Sequence, residues 1–218
     1  MSREITVYHG SNHIVEAPLF GIGRKTNDYG LGFYMTESRL LAGEWAVLWT
    51  GRDGFINEYQ LNLDGLDILN LDQLPIENWI AVLMLNRRGE YADELQGRLD
   101  RFIEKFGIDL SGFDMVKGYR ANDAFFRYVE AFTLGLLSLE NLLTAMKLGD
   151  LGAQICLKTE RAFSAIRFVD STPAAASAYF PPAQYRDTTA RQQYRSMKNK
   201  DAGRSIFDLL RGDSRDSV

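Results

Sequence analysis

The spacing of apolar residues changes twice along this chain, and those changes limit the folds open to it. Ile5-Thr6-Val7-Tyr8 is β-branched and aromatic, and Ile56–Leu63 alternates apolar with polar apart from the phasing at Glu58-Tyr59, so both read as strands. From about Leu74 to Phe106 the spacing becomes helical. It falls in two blocks, Trp79/Val82/Leu83 and Leu95/Leu99/Phe102/Phe106, split by Arg87-Arg88-Gly89, which predicts a helical hairpin. Strand patterns return at Gln154–Lys158 and Ala165–Val169. Strands first and last with helices between favour an α+β fold over alternating βαβ units.

Shorter signals fill in the rest. Residues 12–32, with Pro18 and several glycines, read as a loop, and Phe33-Tyr34-Met35 as a short strand. Thr36 or Ser38 is placed to cap a helix in which Leu41, Trp45, Leu48 and Trp49 recur at helical steps. Leu66–Leu69 reads as a strand after a turn at Asp64-Gly65. Gly118–Asp123 is expected to start a helix with Phe125, Phe126, Val129 and Phe132 on its apolar side, and Ser138-Leu139-Glu140 to open another ending near Gly149. Past Asp170, Thr172–Ala176 and Phe180-Pro181-Pro182 read as an ordered linker, residues 186–204 as a polar stretch, and Ile206–Leu210 as a short helix. The expected organisation is a domain over 1–170, with a helical insertion at about 74–147, and a C-terminal extension over 171–218.

With 218 residues, 45% of them hydrophobic, the chain can bury a full core. A single cysteine, Cys156, excludes an internal disulfide framework, and two histidines are too few for a zinc cluster of Cys and His, so no metal is expected. A reducing, cytoplasmic setting is the expectation, with no targeting segment and no membrane partner. The net charge of −4 argues against non-specific attachment to nucleic acid through the whole surface.

Chemistry concentrates near the N-terminus. His9-Gly10-Ser11 ends the first strand, placing an imidazole beside an exposed backbone and a hydroxyl. Tyr34 and Trp45 supply flat faces that stack on a heteroaromatic ring or attract a cation. Taken singly, aromatic residues at strand and helix spacing more commonly pack in a core. Taken together, the imidazole, the hydroxyl and the two aromatic faces suit a flat cationic ligand such as a nicotinamide.

In its order of motifs the chain resembles the ADP-ribosyltransferase superfamily, in the branch of the poly-ADP-ribose polymerases and diphtheria toxin. There a first strand carries His-Gly-Ser or His-Gly-Thr, here His9-Gly10-Ser11, and a second element reads Gly-x-Gly-(Ile/Leu)-Tyr-Phe, here Gly30-Leu31-Gly32-Phe33-Tyr34-Met35. A second stacking aromatic follows 11 residues after the tyrosine, on a helix, and is Trp45 here. The likeness covers about residues 5–50 well and the remainder loosely, and the whole chain is most similar to an uncharacterised bacterial family of transferase-like proteins.

The resemblance implies an ADP-ribosyltransferase-like fold of two facing, mostly antiparallel sheets around an NAD cleft. His9 would hold the adenosine-side ribose, the Gly10 backbone the carboxamide, and Tyr34 and Trp45 the two faces of the nicotinamide. Ser11 completes the first motif, and Arg24-Lys25 in the following loop holds the family position for phosphate contact.

Two positions depart from the family. A helix serine that binds the carboxamide is replaced by Ala42, and the strand-leading glutamate is matched by Gln154. Glutamine still bonds a ribose hydroxyl but carries no charge, and losing one such electrostatic contact costs roughly 3–4 kcal/mol of barrier. Three consequences stay open: another acid serves, with Asp123 ahead of Glu160; Gln154 suffices for a single transfer; or the site binds NAD without turnover. Arg120 is placed either to clamp the pyrophosphate or to pair with Asp123 at a helix start. Asp28, close to the pocket loop, reads as a turn or capping acid, and His13 as a surface residue.

The expected activity is therefore mono-ADP-ribosylation of a macromolecule with NAD as substrate. Such small bacterial transferases often act as toxins paired with an antitoxin, or as defence factors. NAD glycohydrolysis, or NAD binding without catalysis, are the alternatives.

Overall fold

The computed structural model describes residues 3–48, 50–87, 93–121, 125–147, 152–197 and 203–211. Two sheets lie face to face. The first has the order β1-β3-β7, from Glu4–Ser11, Gly54–Asn62 and Ile166–Ala174, and is antiparallel throughout. The second has the order β2-β6-β5-β4, from Phe33–Met35, Ala153–Leu157, Met115–Tyr119 and Ile68–Asn70, and only its β4–β5 pair is parallel. This is the α+β arrangement that the strand and helix spacing implied.

The period of two along each strand explains the layering. Val7, Tyr59 and Leu61 of the first sheet and Met35, Met115, Ile155 and Leu157 of the second form one core between the sheets. The alternate residues of the second sheet, Val116 and Cys156, face a larger core built with the helices α2 (Ile76–Asn86), α3 (Asp93–Phe106), α4 (Phe125–Thr133) and α5 (Leu139–Lys147), where Trp79, Phe102 and Phe132 are fully buried. On the outer face of the first sheet, α1 (Arg39–Leu48) packs Ala42, Ala46 and Val47 against Ile56 and Ala174.

Three expectations are corrected. Gly118-Tyr119 ends strand β5 and does not start a helix; α4 begins only at Phe125. Gly118 is required there because a Cβ would stand 2.5 Å from the Tyr29 hydroxyl. The helical insertion is thus interrupted by a strand. The stretch read as a linker is instead the end of β7, which crosses the expected boundary at 170, followed by the 22-residue helix α7, Ala176–Met197. Pro173 is tolerated because β7 is a sheet edge, where no ladder bond is lost.

Pro181 and Pro182 lie inside α7, where prolines ordinarily break a helix. Contacts distant in sequence hold it. Asp53 accepts a hydrogen bond from the Ala176 N–H at 2.8 Å, Tyr179 lies on Gly43, and Arg186 pairs with the buried Glu44. The hairpin α2–α3 and the terminal helix α8 (Ile206–Arg211), after a short helix α6 (Glu160–Ser164), stand where the spacing placed helices. Trp49 lies outside the described residues. Among the described residues no helix is long and apolar enough to cross a membrane.

Candidate functional site

The edges of the two sheets are bridged by Tyr8 and Thr36, which exchange backbone hydrogen bonds of 2.8 and 2.9 Å. That exchange fixes the direction of every polar backbone group along β1. Since alternate residues of an antiparallel strand point their N–H and C=O to opposite sides, His9 faces β3 while Gly10 faces the same side as Tyr8. Beyond Thr36 that side has no partner strand, and no described residue bonds the Gly10 N–H or C=O. Gly10 therefore presents one donor and one acceptor, side by side, as a primary carboxamide requires.

Glycine is obligatory at this position. A Cβ on Gly10 would lie 1.9 Å from the Ala42 carbonyl oxygen and 2.7 Å from the Ala46 nitrogen, so α1 packs directly on the strand. Ala42 itself is fully buried. Ser38 caps that helix: its hydroxyl accepts the Leu41 N–H at 3.3 Å.

His9 is half-buried, and its Nδ1 lies 2.7 Å from the Tyr34 carbonyl oxygen. A carbonyl only accepts, so Nδ1 carries the proton and Nε2 keeps its lone pair for a hydroxyl donor. Burial lowers the His9 pKa from 6.5, which keeps the ring neutral and Nε2 an acceptor. Its ring leans on Phe33 at 4.5 Å. The Ser11 hydroxyl donates to the His13 carbonyl at 2.5 Å and accepts from Asn57 at 3.1 Å. The fully buried Asn57, opposite His9 in the register, also donates to the His9 carbonyl and accepts from the Val15 N–H, and so fixes the strand end.

Tyr34 and Gln154 share a face of the second sheet, because Tyr34 sits opposite Cys156 and Gln154 is two residues from it. The Tyr34 hydroxyl donates to the Gly30 carbonyl at 2.7 Å and accepts from the Tyr29 N–H at 3.0 Å, which locks the ring against rotation. Lys158 braces the same loop by donating to the Tyr29 and Leu31 carbonyls. Trp45, on α1, is half-buried; its indole N–H is buried with no partner among the described residues, an unmet donor of the kind that a ligand satisfies. The Arg120 guanidinium lies 4.8 Å above its ring. Tyr34 and Trp45 make no ring contact with each other.

The largest addition to the expected set is Asp28. It is buried together with Gln154, whose Nε2 donates to Asp28 Oδ2 at 2.6 Å and to the Tyr119 carbonyl at 3.2 Å. The same Asp28 oxygen accepts the Ala121 N–H at 3.0 Å, and the other meets the Arg87 guanidinium. Burial raises the Asp28 pKa, against the opposing pull of Arg87. Tyr29 and Trp79 complete the cluster, both donating to the Tyr119 carbonyl, at 2.7 and 3.1 Å. The signal for these residues was present in Asn27-Asp28-Tyr29, directly ahead of the glycine motif, but a lone loop acid reads first as a turn residue.

Next to these groups a cleft of about 400 Å³ opens between the start of α1 and the start of β6, lined by Thr36, Ser38, Leu41, Gly152, Ala153 and Arg186. Its size falls in the range of small-molecule sites. None of His9, Gly10, Tyr34, Trp45 and Gln154 lines this cleft; His9, Gly10, Tyr34 and Gln154 lie on the strands around the Tyr8–Thr36 bridge, and Arg24 and Lys25 are exposed on the loop. Asp123 lies outside the described residues. Among the described residues no group of three or more His, Cys, Asp or Glu side chains is placed to hold a metal ion.

Residues 5–168 match the model of a family described as a protein of unknown function (DUF3990). No curated protein and no solved structure matches the chain.

Proposed function

The chain belongs to the DUF3990 family, and from the groups around its sheet junction we propose that it is a mono-ADP-ribosyltransferase that uses NAD as substrate and modifies a macromolecule. The observation that carries the proposal is the outward-facing N–H and C=O of Gly10, beside a neutral imidazole with a free Nε2 and a tyrosine locked at the same sheet junction. A carboxamide fits the first pair and a ribose hydroxyl fits the second. Trp45, whose indole N–H has no partner among the described residues, adds an aromatic wall for a pyridinium on the ring face opposite the Arg120 guanidinium.

In this reading the two facing sheets are an ADP-ribosyltransferase-like fold. An acceptor nucleophile forms a bond to the nicotinamide-bearing ribose carbon from the opposite face, and the carbon–nitrogen bond breaks with its electron pair leaving on neutral nicotinamide. The acceptor's proton passes to solvent. Holding the dinucleotide bent and excluding water supplies most of the rate. A single transfer is favoured over polymer growth because Gln154 stands at the glutamate position. A role as a cytoplasmic toxin or defence factor, held in check by an antitoxin, fits such an activity.

Radiolabelled NAD incubated with the chain and a cell lysate tests this. Label that survives on protein or nucleic acid, and disappears in His9→Ala, is the expected result. Free ADP-ribose without labelled macromolecule would make the chain a glycohydrolase, and NAD binding without nicotinamide release a binding module.

A further inference from the structure

Gln154 carries no charge, yet it is joined to a residue that does. Its amide nitrogen faces two groups that only accept, the Asp28 carboxylate at 2.6 Å and the Tyr119 carbonyl at 3.2 Å. Those two acceptors leave the amide a single orientation, with Oε1 directed away from both. No described residue donates to that oxygen. The carboxylate is itself held on both oxygens, by the Ala121 N–H and by Arg87, so it has no freedom to turn away.

We infer that Asp28 is the positioning acid of this site: it fixes the Gln154 amide so that Oε1 is the acceptor offered to the ribose of NAD, and it sets a negative charge one hydrogen bond behind that acceptor. The glutamate function is thereby divided between two residues 126 positions apart, one touching the substrate and one orienting and polarising it. A carboxylate bonded to an amide N–H₂ draws density onto the amide oxygen, which strengthens its bond to a ribose hydroxyl as positive charge develops on the sugar. Asp28 acts through Gln154 and does not itself meet the ligand.

The inference rests on the transferase reading for the identity of the ligand, whereas the pairing of Asp28 with Gln154 is measurable without NAD. In the full chain, the Gln154 side-chain amide protons are expected to resonate downfield and exchange slowly, and in Asp28→Asn to move upfield and exchange faster. Unchanged Gln154 signals in Asp28→Asn overturn the inference. For nicotinamide release, Asp28→Asn is expected to lower kcat about 100-fold, the scale of losing one preorganised electrostatic contact, with NAD affinity changed less than about threefold. Equal losses in kcat and affinity overturn it.

The exchanged pair, Asp28→Asn with Gln154→Glu, restores one carboxylate and one amide in hydrogen-bond contact. Turnover above that of Asp28→Asn alone is expected, and turnover no higher overturns the inference. If the wild-type chain neither binds NAD nor releases nicotinamide, the transferase reading falls while the amide spectra still decide the role of Asp28.

Discussion

The candidate groups on the two sheets are held in different ways. On the first sheet, His9, Ser11 and Asn57 are held by neutral hydrogen bonds, most of them to backbone, and Gly10 by the close packing of α1. On the second, Gln154 and the Tyr119 carbonyl sit against a buried carboxylate and guanidinium. A neutral half is held by shape and loses little when one bond goes; a charged half is held by pairing and fails when one partner goes. In the neutral half the Gly10 N–H and C=O and the His9 Nε2 have no partner among the described residues, while in the charged half the Asp28 carboxylate and the Gln154 amide nitrogen are turned to each other.

The strongest way to break this contrast is Asp28→Ala. It strips the carboxylate from Arg87 at a site where the two side chains are only 4% and 11% exposed, and is expected to cost about 4 kcal/mol, measured by denaturant unfolding. Next comes Gly10→Ala on the neutral half. The new methyl meets helix backbone at 1.9 Å, so α1 must shift, and a loss of about 3 kcal/mol is expected in the same assay. If Gly10→Ala were harmless, the neutral half would not be held by shape.

Tyr34→Phe removes a hydroxyl bonded at 2.7 and 3.0 Å and keeps the ring. A loss of about 1 kcal/mol is expected, with NAD affinity by calorimetry close to wild type. Binding that collapses with the hydroxyl alone would place Tyr34 in a polar role.

The smallest effect is on pH. The folded-state pKa of His9 lies below its ordinary 6.5, so the unfolded chain takes up the proton first. Its contribution to stability is complete above 6.5 and declines as pH falls from there toward the folded value. Melting temperature followed from pH 7.5 to 5.5 is expected to drop more in the wild-type chain than in His9→Asn. Equal slopes would mean that the ring titrates as freely folded as unfolded.

How much of this was legible in advance follows from the distance over which each feature is determined. The helical hairpin and strand β3 announce themselves by local period, since burial on one face repeats at 3.6 or 2 residues. Strand β5 did not, because Met115–Tyr119 is short and runs into a helix-like segment. Its strand character comes from pairing with β4 and β6. Helix α7 was hidden by Pro181-Pro182, whose local cost is overcome by Tyr179 against Gly43 and Arg186 against Glu44, contacts that no window of sequence contains.

The site divides in the same way. The sequence alone named the candidate groups: His9-Gly10-Ser11, Tyr34, Trp45 and Gln154, the last an amide where the resembled family has a carboxylate. Only the tertiary structure decided which way the Gly10 backbone faces, which His9 nitrogen is protonated, and that Asp28 stands behind Gln154. The reason is physical. Residue type sets what a group can donate or accept, whereas its direction and its charged neighbours depend on pairing between segments far apart in the chain.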